Sequence, residues 1–282
     1  MIKILNPKIS VIMSVYNNEK YLSQSIESIL NQTYKNFEFI ITNDFSKDNS
    51  LKIIKKYSEL DNRIIIVNNK KNIGLTKSLN NMINICKGEY IARMDSDDIA
   101  LHNRFEEQIN ILNKDNTIDI IFSDTILIDE NNNKLCSSWR PKTVEKILKY
   151  LKLNNFIPHP TVIVKGSLLK EYRYNEEYWT GQDKELWIRL NKDNKKFYYL
   201  NKSLLLYRIN PNSVRNKIQN QYYNLATQYI NNNNKLGALR YIKNLKFKEK
   251  LIILIKLIVP FKLIFYKGLV LRRCNIRMRK NE

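Results

Sequence analysis

Residues 9–30 read ISVIMSVYNNEKYLSQSIESIL, a β-branched run followed by a segment whose apolar residues fall at helical spacing. The run Ile9–Val15 predicts a buried strand that ends in a turn at Tyr16-Asn17-Asn18. In the segment that follows, apolar residues recur every three or four positions, which is typical of a helix packed on a sheet. The stretch therefore predicts a strand, a turn and a helix in that order.

The same alternation continues along the first part of the chain. Strands are expected over residues 37–42, 63–67 and 90–94, and helices over 51–60, 75–85 and 104–112. This rhythm indicates βαβ units. The predicted fold class is α/β, a Rossmann-like, mostly parallel sheet flanked by helices. Lys87-Gly88, beyond the third helix, predicts a left-handed helix cap.

The order loosens beyond residue 115 into mixed strands, with helices near 144–153 and 184–192. From about residue 216 the chain becomes Asn-rich, then basic and apolar. We therefore expect one large domain, the candidate catalytic domain, at residues 1–215 and a helical, basic C-terminal extension at 216–282.

Three polar junctions follow predicted strands, after residues 15, 42 and 94. Because the carboxyl ends of parallel strands share one edge of a sheet, these junctions are expected to meet in one crevice. The last junction reads Asp95-Ser96-Asp97-Asp98. Two carboxylates on one turn suit a hard divalent cation. A solvated acidic turn or a helix N-cap are the alternative interpretations.

The composition points to anionic partners and away from disulfide or zinc frameworks. Lys and Arg number 48 against 27 Asp and Glu, a formal net charge of +21. Such an excess attracts nucleic acid, acidic membranes and phosphorylated small molecules, although AT-rich coding also favours lysine. The 3 cysteines are scattered and the 2 histidines have no metal-ligand partner at short spacing. The N-terminus lacks an apolar signal core, so the cytoplasm is the expected compartment.

Four stretches, in this order, resemble the family 2 glycosyltransferases over roughly residues 8–215: ISVIMSVYNNEKYLSQSIESILNQTY, FEFIITNDFSKDNS, NIGLTKSLN and GEYIARMDSDDIA. The resemblance implies a GT-A fold, a nucleotide-sugar donor, a divalent metal (Mn²⁺ or Mg²⁺) and inversion at the anomeric carbon. Within the family, the chain looks most like bacterial enzymes that build lipopolysaccharide or capsule from UDP-sugars. It is therefore expected to be a metal-dependent hexosyl- or N-acetylhexosaminyltransferase.

The family pattern also implies where the donor binds. Ser14 and Tyr16 would border the nucleoside, with the Tyr16 ring stacked on the base. Asp44 would accept a hydrogen bond from the base. Asp95 matches the acid that faces the ribose or the metal, and Asp97 matches the metal ligand.

The second half of the family pattern implies which residues lie on the acceptor side. Asp183 matches the catalytic base that takes the proton of the acceptor hydroxyl; a plain N-cap is the alternative, and Glu185 is the next candidate base. Arg208 could face phosphate, or form only a surface ion pair. His159 and Trp187 match segments that line the acceptor side, although a lone histidine is more often a packing residue.

The chain departs from the family pattern at four positions, where the family has Asp, Gly, Glu and His: Asn43, Phe45, Gln182 and Asn210. These departures keep open a catalytically inactive scaffold. A nucleic-acid-binding basic protein is the other alternative, but no recognisable binding module is present and nucleic acid is not the expected partner.

The segment 251–271 has the length of a membrane span but contains three lysines and Pro260. An in-plane amphipathic segment on an anionic leaflet fits it better, and a helix packed on the catalytic domain remains open. The predicted function is inverting, non-processive sugar transfer to a glycan or glycolipid acceptor. The expected location is peripheral, on the inner face of the cytoplasmic membrane.

Overall fold

The computed structural model describes residues 8–138, 140–152, 155–178 and 180–209. The domain boundary expected near residue 215, Asn210 and the C-terminal extension all lie outside these ranges. Within them, no helix is long and apolar enough to cross a membrane.

The first half of the chain alternates strands and helices as predicted. Its elements are β1 (Ile9–Val15), α1 (Glu19–Leu30), β2 (Phe37–Asn43), α2 (Ser50–Leu60), β3 (Ile64–Asn68), α3 (Leu75–Ile85) and β4 (Tyr90–Arg93). Each helix presents an apolar stripe to the sheet, which is why helical spacing located all three.

The second half contains strands that the sequence pattern did not locate individually. Its elements are β5 (Ile99–Ala100), α4 (Arg104–Lys114), β6 (Ile120–Ile128), β7 (Lys134–Ser137), α5 (Val144–Lys149), a 3-10 turn (His159–Thr161), β8 (Ile163–Lys165), α6 (Gly166–Tyr172), α7 (Gln182–Lys192) and β9 (Phe197–Arg208). The helix expected over residues 144–153 ends at Lys149.

The strands form one sheet in the order β3-β2-β1-β4-β8-β6-β9-β5, with β7 paired to β6. From β3 to β4 the neighbours are parallel. Beyond β4 the sheet is mixed, because β8 runs antiparallel to both β4 and β6 while β6 and β9 are parallel. The α/β fold is confirmed. Its parallel part consists of β1 to β4, where a helix connects each strand to the next one.

The sheet is covered by hydrophobic cores on both faces. Ile9, Val11 and Met13 belong to a core shared with α1, whereas Ile12 belongs to one shared with α3 and α7. All four side chains are fully buried. Burial on both faces explains why β1 is an almost unbroken apolar run rather than an alternating pattern.

Gly88 serves close packing rather than a helix cap. Among the described residues the glycines with positive φ are Gly74 and Gly181, so the left-handed cap predicted at Lys87-Gly88 is wrong. A Cβ on Gly88 would lie 2.4 Å from the backbone nitrogen of Ser10. The Gly88 N–H donates to the Ser10 hydroxyl, at 2.8 Å. The glycine therefore lets the α3–β4 connection approach the start of β1.

Candidate active site

The turns after β1, β2 and β4 meet at one edge of the sheet, as the sequence predicted. The Asn17 N–H donates to Ser46 Oγ at 3.1 Å, and the Lys47 N–H donates to Asn17 Oδ1 at 2.7 Å. On the other side, Asn18 Nδ2 donates to Ser96 Oγ at 2.7 Å. The β1 turn is thus bonded to both of the other turns, and the three turns lie side by side at this edge.

The acidic turn is partly buried and brings three carboxylates close together. Asp95 forms an ion pair with Arg93, a charged residue within the buried end of β4. Asp97 is half-buried, and its burial, together with the negative charge of Asp95, raises the pKa of its carboxyl to about 6. A fully solvated turn would not shift this pKa, so that alternative does not fit the structure.

Asp98 ties the turn to β9 and does not cap a helix. Its Oδ1 accepts the Arg208 backbone N–H at 2.8 Å, and its Oδ2 has no hydrogen-bond partner within the described part of the chain. Burial, with the charges of Asp97 and Asp95, raises the pKa of Asp98 well above its ordinary value. The N-cap of α4 is Asn103, so none of these acids serves as that cap.

The Arg208 side chain lies beneath the turn and donates mainly to carbonyl oxygens. It is 3% exposed, so it is not a surface ion pair. Its Nε donates to the Asp97 carbonyl at 2.7 Å, and its Nη1 donates to the Asp129 carbonyl at 3.0 Å. Its Nη2 donates to Gln24 Oε1 at 3.2 Å, and the guanidinium stands 4.2 Å from the Tyr21 ring centroid. In this structure Arg208 positions the acidic turn; contact with phosphate stays a prediction.

The acidic turn offers two carboxylates to a divalent cation, which would need further ligands from outside the protein. No group of three or more His, Cys, Asp or Glu in the described ranges is arranged as a metal site. Mg²⁺ and similar hard cations commonly take one or two carboxylates and complete their shell with phosphate oxygens and water. Asp95 and Asp97 provide those carboxylates, and burial together with the charge of Asp95 raises the pKa of Asp97, so a bound cation would favour its ionised form.

Ser14 and Tyr16 lie where the nucleoside is predicted to bind. Ser14 is half-buried near the end of β1. Tyr16, just beyond that end, is 51% exposed although it is a large aromatic side chain. An exposed ring on the turn is available for stacking, whereas a ring packed in the core would not be.

Asp44 anchors the loop that follows β3. Its Oδ1 accepts hydrogen bonds from Asn69 Nδ2 at 2.8 Å and from the Ile73 N–H at 2.9 Å. Its Oδ2 accepts one from the Gly74 N–H at 2.9 Å. A carboxylate offers about four acceptor positions, so one on Oδ2 is left for the predicted bond from a base. The side chain is only 2% exposed, which restricts any such approach.

The predicted base, Asp183, lies in the first turn of α7, where the helix dipole favours the ionised carboxylate. Asn155 Nδ2 donates to Asp183 Oδ2 at 2.7 Å and orients it. Burial raises the pKa of the Tyr174 hydroxyl; the charge of Arg93 opposes this shift, and the charges of Asp183 and Asp95 add to it.

The other residues predicted on the acceptor side make contacts within the fold. His159 is buried, its Nε2 lies 2.7 Å from the Tyr174 hydroxyl, and burial lowers its pKa well below the ordinary value, which keeps it neutral. Trp187 is fully buried and packs edge-on against His159. Glu185 pairs with Arg189 at 2.7 Å. Direct contact of these residues with an acceptor stays a prediction.

Sequence reasoning missed Arg93, Asn155 and Tyr174. Arg93 did carry a signal, because a charged residue inside an apolar strand and next to an acidic turn needs a partner. Asn155 and Tyr174 carried none, since their roles depend on contacts across 28 and 15 residues of sequence, respectively.

Comparison with known proteins agrees with this geometry. The profile of glycosyl transferase family 2 matches residues 10–173. An uncharacterized glycosyltransferase of Methanocaldococcus jannaschii, MJ1057, is 40% identical over 234 residues, which cover 80% of this chain and 80% of that protein. The O-antigen biosynthesis glycosyltransferase WbnJ of Escherichia coli is 37% identical over 223 residues, covering 78% of this chain and 86% of the relative.

Solved structures share the fold at low identity. TarS residues 1–349 of S. aureus, in complex with UDP-GlcNAc, aligns with TM-score 0.63 and 20% identity, covering 88% of this chain and 71% of that one. The mannosyltransferase PcManGT of Pyrobaculum calidifontis, in complex with GDP-Man and Mn²⁺, aligns with TM-score 0.61 and 14% identity, covering 88% and 69%. Fold, profile and relatives agree: the chain belongs to glycosyl transferase family 2 and has the GT-A fold.

Proposed function

We propose that this glycosyltransferase moves a sugar, with inversion, from a UDP-sugar to an acceptor hydroxyl, and that the transfer depends on Mn²⁺ or Mg²⁺. The observation that carries the proposal is the meeting of the turns after β1, β2 and β4 at one edge of the sheet, which brings the exposed Tyr16 ring and the acidic turn together. An aromatic ring for a base and two carboxylates for a cation are what a nucleotide-sugar donor requires. UDP is supported by the TarS complexes with UDP and UDP-GlcNAc, and a metal by the Mn²⁺ complex of the mannosyltransferase.

On the donor side, the Tyr16 ring would stack on the base, with Ser14 and the remaining acceptor position of Asp44 Oδ2 nearby. Asp97 and Asp95 would hold the cation, which supplies positive charge to the departing diphosphate. Arg93 holds Asp95, and Arg208 holds the Asp97 backbone, so neither acid has to reorganise when the donor binds.

On the acceptor side, Asp183 would act as the general base. It would take the proton of the acceptor hydroxyl as the new C–O bond forms and the bond to the diphosphate breaks. Attack from the face opposite the leaving group in a single displacement inverts the anomeric carbon. Asn155 would fix the direction of the carboxylate through Oδ2.

We further propose that the sugar is a hexose or N-acetylhexosamine and that the acceptor is a surface glycan or glycolipid, of lipopolysaccharide or capsule type. The named role of WbnJ in O-antigen biosynthesis and that of the minor teichoic acid biosynthesis protein GgaB of Bacillus subtilis support a surface polymer.

We also propose that residues 245–282, outside the described ranges, hold the enzyme at the inner face of the cytoplasmic membrane. Deletion of that segment should then abolish pelleting with anionic vesicles; equal pelleting without it would contradict the attachment.

A donor screen tests the central proposal. UDP-, GDP- and dTDP-sugars are incubated with the protein, with Mn²⁺ or with a chelator, and release of free nucleotide is measured. We expect release from a UDP-sugar that requires metal and is lost in Asp97→Asn but not in Asp115→Asn, a surface acid paired with Lys196. No release from any donor, at any metal concentration, would favour an inactive scaffold. The configuration of the product, read by NMR, decides inversion.

A further inference from the structure

Phe45 adopts a backbone conformation that a phenylalanine rarely takes. Its φ is 63°, in the left-handed region, where a bulky side chain is strained and a glycine is not. Deep burial of the ring does not offset this backbone strain, because Phe45 is 38% exposed. Strain of this kind persists where the surroundings enforce it, and it clusters at ligand sites.

Phe45 stands on the same edge as the predicted nucleoside site. It directly follows Asp44, whose N–H donates to the Val15 carbonyl at 2.8 Å. The residues flanking Phe45 and Tyr16 are bonded together, since Asn17 joins Ser46 and Lys47. Two exposed aromatic rings therefore emerge from neighbouring turns.

The ring of Phe45 also has a defined partner. Lys47 Nζ lies 3.6 Å from the ring centroid, a cation–π contact. An exposed ring held by a cation offers its remaining surface to a ligand in a fixed orientation, and little entropy is lost on binding. Leu60 and Ile85, two other large exposed apolar side chains in the described ranges, lie at the ends of helices.

We propose that Phe45 forms a second aromatic wall of the nucleoside site and contacts the base of the donor alongside Tyr16. The inference rests on the proposed nucleotide donor and extends it. Because every base has a π face, this wall would contribute affinity for the nucleoside without choosing between bases. That choice would be left to groups such as Asp44.

Substitution at Phe45 separates the ring from the backbone. Phe45→Gly and Phe45→Asn both accept the left-handed conformation and remove the ring, whereas Phe45→Tyr keeps it. Loss of one stacked base contact should weaken UDP binding by about 5- to 100-fold. The melting temperature should stay equal or rise by about 2–4 °C in Phe45→Gly, because backbone strain is relieved. Inorganic pyrophosphate, which has no base, should compete equally well in all variants.

Calorimetry of UDP binding with Mn²⁺, competition by pyrophosphate and thermal melts supply these readouts. Asn194→Gly is the matched control, since Asn194 also has a positive φ of 55° but lies after α7, and its UDP affinity should not change. Equal UDP affinity in Phe45→Gly and the unaltered protein would overturn the inference, as would an equal loss in Phe45→Tyr or for pyrophosphate. Absence of UDP binding by the unaltered protein would instead overturn the proposed function, and this inference with it.

Discussion

Arg208→Lys tests whether Arg208 supports the acidic turn or binds the donor. The arginine makes four hydrogen bonds, to the carbonyls of Asp97, Asp129 and Glu130 and to the side chain of Gln24. Lysine keeps the charge but lacks the planar fork, so it cannot reach acceptors on three segments at once. Hydrogen bonds from a charged donor contribute about 1.5–3 kcal/mol each.

Loss of most of this buried network should lower the free energy of unfolding by about 3–5 kcal/mol. At about 2–4 °C per kcal/mol for a protein of this size class, the melting temperature should fall by about 6–20 °C. The free energy of UDP-sugar binding, measured well below the melting temperature, should change by less than the free energy of unfolding, because Asp95 and Asp97 themselves remain.

Scanning calorimetry and donor titration with Mn²⁺ give the two quantities. Arg189→Lys is the matched control, because Arg189 also donates to two backbone carbonyls, of Tyr172 and Arg173, but lies on α7. It should lose some stability and no donor affinity. A melting temperature within about 2 °C of the unaltered protein, together with a loss of UDP affinity in Arg208→Lys, would refute the supporting role and assign Arg208 to the phosphates.

Three further predictions concern the acids. Asp97→Ala should abolish metal-dependent donor binding while the fold is retained; unchanged affinity by calorimetry would remove Asp97 from the metal site. Asp183→Asn should keep donor binding and reduce turnover by roughly 10²- to 10⁴-fold; near-normal turnover would move the base to Glu185. Affinity for a UDP-sugar with Mn²⁺ should rise about tenfold from pH 5 to pH 7, because Asp97, with a pKa of about 6, must lose its proton to bind metal. Without metal, the free energy of unfolding should fall as the pH rises from about 4 to 6, because the folded protein binds the Asp97 proton more tightly than the unfolded chain does; the fall should be smaller in Asp97→Asn, where only Asp98 contributes.

The parallel half of the fold was predictable because its signals are local. β1 and β2 are short apolar runs buried on both faces, and the intervening helices have one apolar stripe. β5 and β8 were not predictable, since 2 and 3 residues carry no period and their place depends on the strands beside them. The role of Gly88 was misjudged for the same reason, because the close approach that requires it comes from β1.

The site was predictable where position along a strand decides it. Asp95 and Asp97 follow β4, and parallel strands bring such turns to one edge. The partners of Arg208 and the burial of Trp187 could not be read from the sequence. An arginine at a strand end suits phosphate and carbonyl oxygens equally, and a tryptophan in an amphipathic helix suits a core and an acceptor wall equally. Those choices depend on contacts between segments that are distant in sequence.

The placement of the acidic turn follows from the change in strand direction at β4. The parallel strands β1, β2 and β3 lie on one side of β4, and β8, β6 and β9 lie on the other side. The turn leaves β4 and enters β5, which pairs with Leu205 and Leu206 of β9. Asp98 adds a bond to the last residue of β9 and accepts a hydrogen bond from Ser25 of α1 through its carbonyl. A turn fixed at both ends can hold carboxylates close together before any cation arrives, although their repulsion opposes it. β9 and Arg208 thus hold the acidic turn in place, and the proposed cation would meet carboxylates that are already positioned.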